Sequence, residues 1–160
     1  MAFEDFLKFF SDVQICRASL DNKLSSIEFQ SKHQEDRYYR FSIKTKGHYY
    51  ISAHQIPVKI SGASEYSWVS MLLGKVLENN KIEYIRGVFK KERDVWMDST
   101  VELTEGIYIV YVRHNSHYQQ PSTPIQTPPT QETPKDLTLS VYGPTHVFLK
   151  ALRPEKCSSF

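Results

Sequence analysis

The chain has 160 residues, which is long enough for one domain that buries its own hydrophobic core. Its 20 basic and 18 acidic residues are interspersed and leave a formal charge of +2. This near-neutral balance argues against a nucleic-acid-binding protein, which normally concentrates basic residues on one face. The 10 Tyr and 9 Phe, set against only 6 Gly, favour β-strands over helices. We therefore expect an all-β protein with no nucleic-acid partner.

The two cysteines, Cys16 and Cys157, lie far apart in the sequence. The first residues of the chain lack the basic and apolar regions of a secretory signal, and in such a chain two cysteines are typical of reduced thiols in the cytosol. No stretch approaches the roughly 20 apolar residues that span a bilayer. We therefore expect a cytoplasmic location.

The N-terminal segment, residues 1–18, is predicted to form a short helix over residues 2–11 and a first strand from residue 13. The apolar residues of the helix recur at i, i+3, i+4 and i+7, which places them on one face. These residues are Phe3, Phe6, Leu7 and Phe10. Because so short a helix is marginal by itself, we expect this face to dock on the rest of the domain or on another chain. The four residues are therefore candidate partner-binding residues.

Residues 19–160 carry the pattern of a β-sandwich. Residues 20–37 are mostly polar and are predicted to form a loop with at most one edge strand. From residue 39 to residue 44, apolar and polar residues alternate, which is typical of a strand with one buried face. After a turn at Lys46-Gly47, residues 48–54 alternate in the same way. The two strands are predicted to form a hairpin.

Further strands of the sandwich are predicted at regular intervals, with turn residues between them. Their ranges are 68–76, 82–89, 95–97, 107–112, 137–142 and 145–152. The run at 107–112 is apolar on both sides, which is typical of a central strand covered on both faces. The fold class is therefore predicted to be an all-β, antiparallel β-sandwich of about eight strands with a short N-terminal helix.

Residues 115–136 differ from the rest of the sandwich, because five of the eight prolines lie between Pro121 and Pro134 among Thr, Gln and Ser. Such a composition cannot build a core, so we predict a disordered or extended insertion within the sandwich. A loop of this length either contacts a partner or is merely tolerated, and tolerance is the simpler interpretation. His114 and His117 flank the insertion and are expected to be solvated.

No residue pattern in the chain predicts catalysis or a metal site. Cys16 lies among apolar residues of a predicted strand, where a cysteine is normally an inert core residue. The six histidines do not have the spacing of metal ligands, and the carboxylates are scattered singly. We therefore expect no enzyme activity and no cofactor. Calcium is left open, because two loops could bring carboxylates together in space.

Two surface features have alternative interpretations. Lys90, Lys91 and Arg93 form a short basic cluster, which is either a solvated strand end or a contact for anionic lipid headgroups. Adjacent tyrosines at 38–39 and 49–50 indicate either a stacking surface for bases or cross-strand packing pairs. Because no basic stripe accompanies these tyrosines, cross-strand packing is the favoured interpretation.

Several segments of the chain resemble the calpain family. The N-terminal segment resembles the end of the calpain protease core. The residues that carry this resemblance are Met1-Ala2-Phe3-Glu4-Asp5-Phe6-Leu7, followed by Phe10, Val13 and Ile15-Cys16. Four later segments resemble the β-sandwich that follows the protease in calpains. Their ranges are 39–55, 66–75, 94–111 and 137–142. The clearest part of this second resemblance is Val95-Trp96 together with Leu103-Thr104-Glu105-Gly106-Ile107-Tyr108.

The resemblance implies a domain without a protease active site, because calpains carry their catalytic Cys, His and Asn upstream of the matched segments. It implies a non-catalytic protein-interaction or scaffolding module derived from a calpain-like protein, and a structural subunit of a larger assembly. A cytoskeletal, axonemal or ciliary location is implied by the breadth of the family. The alternative is the regulatory calcium- and phospholipid-binding domain of a longer calpain-like cysteine protease. Where the family has a dense acidic loop, this chain has only scattered acids such as Glu35-Asp36.

Overall fold

The computed structural model describes residues 21–32, 34–61, 65–97, 101–115 and 135–153. The predicted N-terminal helix and first strand, both cysteines and most of the predicted insertion lie outside these residues. Within the described residues, the chain is almost entirely β-structure, as predicted. No helix in these ranges is long and apolar enough to cross a membrane.

Ten strands and one short helix are present in the described residues. The strands are β1 (Lys23–Ser31), β2 (Asp36–Ile43), β3 (Gly47–Gln55), β4 (Trp68–Val76), β5 (Ile82–Lys90), β6 (Asp94–Trp96), β7 (Val101–Leu103), β8 (Gly106–Asn115), β9 (Lys135–Gly143) and β10 (Lys150–Leu152). The helix, α1, spans Val58–Ser61 between β3 and β4. The prediction of about eight strands is close, because β6, β7 and β10 have only 3 residues each.

The strands form two antiparallel sheets. The first sheet has the order β1-β9-β3-β6, and β7 pairs with the beginning of β3. The second sheet has the order β10-β2-β8-β4-β5. Successive strands mostly alternate between the two sheets, which is the arrangement of a double-sheet jelly roll. The predicted all-β antiparallel sandwich is therefore confirmed.

The hairpin predicted for β2 and β3 is wrong, because the two strands belong to different sheets. β2 pairs with β8 and β10, whereas β3 pairs with β9, β6 and β7. Residues 44–46 connect one sheet to the other, so Phe41 on β2 and Ile51 on β3 are both buried in the core between the sheets. Alternation alone does not distinguish a hairpin from two strands in facing sheets, since each arrangement buries one face of each strand.

Residues 20–37, predicted to form a loop with at most one edge strand, contain one long edge strand, because β1 pairs with β9 along its whole length. Ile27 and Phe29 pack against the core from this strand, and Glu28 between them is exposed. Among the described residues, β1 lies at the edge of the first sheet. Edge strands carry many polar side chains, and here these side chains obscure the strand pattern in the sequence.

Two smaller predictions differ from the structure near the C-terminal strands. The strand predicted at 145–152 is reduced to β10, because Val147 donates its N–H to Ser25 Oγ at 2.9 Å instead of to a neighbouring strand. His114, which was expected to be solvated, is only 2% exposed. The reason is that β8 continues past residue 112 and places His114 on its buried face.

Apolar side chains fill the interior between the two sheets. β8 lies between β2 and β4, which confirms the central position predicted for residues 107–112. The expected cover on both faces is wrong, because Ile107 and Tyr111 on the outer face are only partly buried. The rings of Phe41 and Tyr108 stack with their centroids 5.7 Å apart. The Tyr108 hydroxyl donates to the Thr104 carbonyl at 2.8 Å, so the polar end of this buried tyrosine is satisfied by the backbone.

Candidate functional site

The outer face of the second sheet carries an open groove of about 880 Å³ across β8, β4 and β5. We call it the aromatic groove. Its wall and floor include Leu72, Tyr84, Gly87, Phe89, Tyr111 and Arg113. The volume lies in the range of ordinary ligand sites, which combine apolar and aromatic walls with a few polar groups.

The register of β4 with its two neighbours brings the groove residues together. The residues that lie opposite one another are Leu72 with Tyr111 and Gly87, and Ser70 with Arg113 and Phe89. Side chains alternate along a strand, so these residues lie on one face while Val69, Met71 and Leu73 are buried in the core. The groove is therefore a consequence of the same alternation that builds the core.

Large apolar side chains in the groove remain exposed. Leu72 is 45% exposed, Tyr84 is 66% exposed and Phe89 is 42% exposed. The Phe89 ring stacks on Trp68 with centroids 4.7 Å apart and an interplanar angle of 17°. On the opposite wall, the rings of Tyr111 and Tyr38 meet across β8 and β2 with centroids 5.4 Å apart. Adjacent exposed side chains of this size on one sheet face are typical of an interaction surface.

A glycine in the floor of the groove allows the Leu72 side chain and the Tyr84 hydroxyl to lie close to the backbone of β5. A Cβ atom at Gly87 would lie 2.5 Å from Leu72 Cδ2, 3.2 Å from the Met71 carbonyl oxygen and 3.4 Å from the Tyr84 hydroxyl. Any side chain at this position would therefore displace Leu72 and occupy space between the walls. Gly87 is one of the positions where only hydrogen fits without rearrangement.

The polar end of the groove is an ion pair that is held by a tyrosine. Arg113 Nε donates to Asp36 Oδ1 at 2.6 Å, and the Tyr111 hydroxyl donates to the same oxygen at 3.0 Å. The hydrogen bond from Arg113 holds the pKa of Asp36 below its usual value, against the opposing effect of burial. Burial, together with the hydrogen bond to Asp36, raises the pKa of Tyr111 to about 12. At neutral pH the charges of Arg113 and Asp36 therefore offset one another.

The basic cluster predicted from the sequence lies at the connection between β5 and β6. Lys91 Nζ contacts Glu65 Oε2 at 2.6 Å, and Arg93 Nε donates to Asp94 Oδ2 at 2.6 Å. Lys90 is the last residue of β5 and lies opposite Val69 of β4. Lys91 and Arg93 are therefore paired with carboxylates. The other candidate site residues, Phe3, Phe6, Leu7 and Phe10, lie outside the described residues.

A second arrangement, on the outer face of the first sheet, has the connectivity of a Ser-His-Asp triad. Ser52 Oγ lies 2.8 Å from His54 Nε2, and His54 Nδ1 lies 2.9 Å from Asp94 Oδ1. Ser52 and His54 share one face of β3, and Asp94 lies opposite His54 on β6. Burial acts to raise the pKa of Asp94, but the hydrogen bonds from Arg93 and His54 outweigh it and lower the pKa.

The surroundings of Ser52 do not equip this triad for nucleophilic catalysis. Ser52 is only 1% exposed, so a substrate carbonyl cannot reach its hydroxyl. Its backbone lies between Trp96 on one side and Ser140 on the other, both in strand register with it. An oxyanion site needs backbone donors that are not already used in a ladder. The triad is therefore a hydrogen-bond network that ties β3 to β6.

Neither the aromatic groove nor the Ser52–His54–Asp94 triad was predicted from the sequence. The signal for the triad was Ser-x-His within a strand, because residues two apart on a strand share a face. Its carboxylate, Asp94, lies 40 residues further along the chain and is brought near only by sheet pairing. Cross-strand packing, the interpretation favoured for the adjacent tyrosines, is observed for two of them. Tyr38 packs against Tyr111, and Tyr50 packs against Tyr142, on neighbouring strands.

The described part of the chain contains no group of three or more His, Cys, Asp or Glu side chains that could hold a metal ion. Glu35 and Asp36, the acids noted in the sequence, are each paired with an arginine. Glu35 contacts Arg37 at 2.8 Å, and Asp36 contacts Arg113 at 2.6 Å. Neither carboxylate therefore lies in a cluster of acids.

Comparison with known proteins identifies no family for this chain. No protein-family model matches it, and no curated protein matches it. A protein from Sulfurospirillum deleyianum has a TM-score of 0.46 and 8% identity, over 74% of this chain and 96% of that chain. The Yersinia pseudotuberculosis-derived mitogen has a TM-score of 0.48 and 10% identity, over 74% of this chain and 84% of that chain. At these TM-scores, neither similarity carries an argument about this chain.

Proposed function

We propose that this chain is a non-catalytic, cytoplasmic protein-interaction module whose aromatic groove receives a segment of a partner protein. The observation that carries the proposal is the exposure of Leu72, Tyr84 and Phe89 side by side on one sheet face. Packing these side chains against a partner would remove apolar surface from water, which is the main driving force of protein association.

The composition of the groove favours a protein partner over a nucleic acid. Aromatic side chains are enriched at the centres of protein interfaces, and charged side chains are depleted there. Arg113, the basic side chain in the groove, is paired with Asp36, so its charge is offset. A nucleic-acid surface would combine stacking rings with several cations that follow the backbone.

The non-catalytic part of the proposal is supported by the triad on the first sheet. It contains the side chains of a serine hydrolase, but its serine is enclosed and the backbone beside it is used in the sheet. The resemblance to calpains supports the same assignment from the sequence. On that basis we propose descent from a calpain-like protein and a role as a structural subunit of a cytoskeletal or axonemal assembly.

Photocrosslinking at a single groove position tests the proposed function. The photoreactive residue p-benzoylphenylalanine would replace Tyr84, whose side chain is mostly exposed and has room for a larger group. The control is the same replacement at Phe148, which is 81% exposed and lies between β9 and β10, away from the groove. In extract from the source cells, we expect a discrete crosslinked protein from position 84 that position 148 does not produce.

The crosslinked partner would then be purified and tested for direct binding. We expect Tyr84→Ala to weaken its binding by about tenfold or more, as for an aromatic residue at the centre of an interface. Phe148→Ala should leave the affinity within about twofold of the unchanged protein. Equal products from both crosslinking positions would contradict the proposal. So would a partner that binds Tyr84→Ala as tightly as the unchanged protein, because the groove would then not be its binding site.

A further inference from the structure

We propose that the N-terminal segment of this same chain, residues 2–11, docks on the aromatic groove and competes there with the partner. The inference rests on the proposed function, because it names a regulator of the same binding site. Four observations carry it. They are the apolar face of the segment, the uneven distribution of exposed apolar side chains over the two sheets, the charges beside the groove, and the length of chain that leads into β1.

The segment has an apolar face that needs cover. Its helix is predicted from the sequence, and the apolar residues recur on one side of it. These residues are Phe3, Phe6, Leu7 and Phe10. A helix this short is stable only when such a face is packed against another surface. Residues 116–134 and 154–160 have no comparable grouping, because their few apolar residues are separated by proline and polar residues.

Exposed apolar side chains are concentrated on the outer face of the second sheet. Of the nine large hydrophobic side chains that are exposed in the described residues, four lie on the adjacent strands β4 and β5. These four are Leu72, Ile82, Tyr84 and Phe89. Ile82 extends the groove beyond Tyr84, because its side chain lies over Gly74 on the same face. The groove therefore belongs to a larger apolar surface, of the kind that a helix covers in layered folds.

The outer face of the first sheet is mainly polar in comparison. Side chains in strand register form two rows across β1, β9 and β3 on this face. The first row is Ser26, Ser140 and Ser52, and the second is Glu28, Thr138 and His54. Such rows offer hydrogen-bonding groups rather than apolar contact. Of the two outer faces, that of the second sheet therefore matches the apolar face of the segment.

Basic side chains beside the groove complement the charge of the segment. Residues 1–12 contain three acidic residues and one lysine. Arg40 of β2 lies opposite Lys150 of β10, and both residues are exposed. Arg40 shares the outer face of the second sheet with Tyr38, because the two residues are two apart on one strand. The acidic residues of the segment therefore meet cations on the β10 side of the groove.

The chain between the segment and β1 is long enough to reach the groove. Val147, in the connection between β9 and β10, donates its N–H to Ser25 Oγ near the start of β1. The start of β1 therefore lies beside the β10 edge of the second sheet. From there to β4 the path is roughly 25 Å, given about 10 Å between stacked sheets and about 4.8 Å between neighbouring strands. Residues 12–22 span up to about 36 Å when extended, so the segment reaches the groove with length to spare.

Photocrosslinking within the purified full chain tests the inference. With p-benzoylphenylalanine at residue 84, irradiation of the protein should link this residue to the tryptic peptides 1–8 or 9–17 in a chain that still migrates as a monomer. The yield should not change with protein concentration, because the contact is intramolecular. The same photoreactive residue at position 148, away from the groove, should not form this link. Mass spectrometry of the digested protein identifies the linked peptides.

Substitutions in the segment show whether its apolar face makes the contact. Phe6→Ser together with Phe10→Ser should lower the crosslinking yield about fivefold or more, because half of the apolar face is lost. Lys8→Ser is the matched control outside that face and should leave the yield within about twofold. The double substitution should also tighten binding of the purified partner by about threefold or more, since the groove is then open in more of the molecules. Circular dichroism melts of each variant would verify that the fold is retained.

The crosslinked products decide between outcomes. Links that form only in covalent dimers, with a yield that rises with concentration, would assign the groove to a second copy of the chain and overturn the inference. No link to residues 1–17 would overturn it as well. If that link is absent while the partner still binds through Tyr84, the proposed function stands and the intramolecular contact falls. If the link forms but no partner depends on Tyr84, the proposed function falls, and competition falls with it.

Discussion

The ring of Tyr49 lies directly against the backbone of Gly143, so that a Cβ atom at residue 143 would be 2.2 Å from Tyr49 Cδ1. Tyr49 cannot move aside, because it is fully buried and its hydroxyl donates to the Thr45 carbonyl at 2.9 Å. This contact joins β3 to the last residue of β9, and these two strands are neighbours in the first sheet. It makes Gly143 a position that only glycine can occupy without distortion.

We therefore expect Gly143→Ala to lower the free energy of unfolding by about 1–3 kcal/mol, as for other overpacked cores. Urea denaturation monitored by circular dichroism measures the change. The matched test is the double variant Tyr49→Ala with Gly143→Ala, which has room for the new methyl group. Its loss should be smaller than the sum of the two single losses, because the clash exists only when the ring is present. Strict additivity would show that the ring and residue 143 do not clash.

The ion pair in the groove predicts a pH-dependent contribution to stability. The pKa of Asp36 is depressed in the folded protein, chiefly by the hydrogen bond from Arg113. A depressed carboxyl pKa stabilises the fold above the unfolded-state value of about 3.9 and loses this effect as pH falls through the folded-state value. The stability difference between the unchanged protein and Asp36→Asn should therefore be full at about pH 7 and shrink towards about pH 3. Urea midpoints across this range measure it, and a difference that grows on acidification would contradict it.

The Ser52–His54–Asp94 network is expected to be structural. A fluorophosphonate probe, which labels activated serines, should not react with the folded chain, because Ser52 is enclosed. Ser52→Ala should lower the free energy of unfolding by about 1 kcal/mol, since it removes one hydrogen-bond partner of His54. Mass spectrometry after labelling gives the first result and urea denaturation the second. Labelling that disappears in Ser52→Ala would instead make Ser52 a nucleophile.

The basic cluster leads to a prediction about lipid binding. Lys91 and Arg93 are paired with Glu65 and Asp94, so much of the charge near Lys90 is offset locally. We therefore expect no sedimentation with phosphatidylserine vesicles, either with calcium or with a chelator. Sedimentation that Lys90→Glu and Lys91→Glu abolish would favour the regulatory lipid-binding alternative. Sedimentation that also requires calcium would favour the calpain-type form of that alternative.

Three strand ranges could be predicted from the sequence, by alternation in β2 and by runs that are apolar on both sides in β4 and β8. β2, β4 and β8 appear close to their expected ranges, because Phe41, Met71 and Val110 recur with inward-facing neighbours at every second position. The length of β1 was not evident from the sequence, since its pairing with β9 depends on residues more than 100 positions away. His114 was expected to be solvated and is buried, because β8 continues to residue 115. The polar residues that follow His114 give no sign of this continuation in the sequence.

The candidate site was less predictable than the fold. Leu72, Tyr84, Phe89 and Tyr111 each looked like an ordinary strand residue, and none has a motif around it. They form one surface only because β5, β4 and β8 are adjacent and in a particular register. A shift of one residue in any of these strands would turn the groove residues of that strand into the core.

By itself, the sequence determined that this chain is an all-β sandwich, because the period of two in its apolar residues is a local property of each strand. The tertiary structure alone decided which strands share a sheet, which side chains meet in the aromatic groove, and that Ser52, His54 and Asp94 lie together. Pairing between distant strands is set by how whole faces pack, and no short window of sequence contains that information.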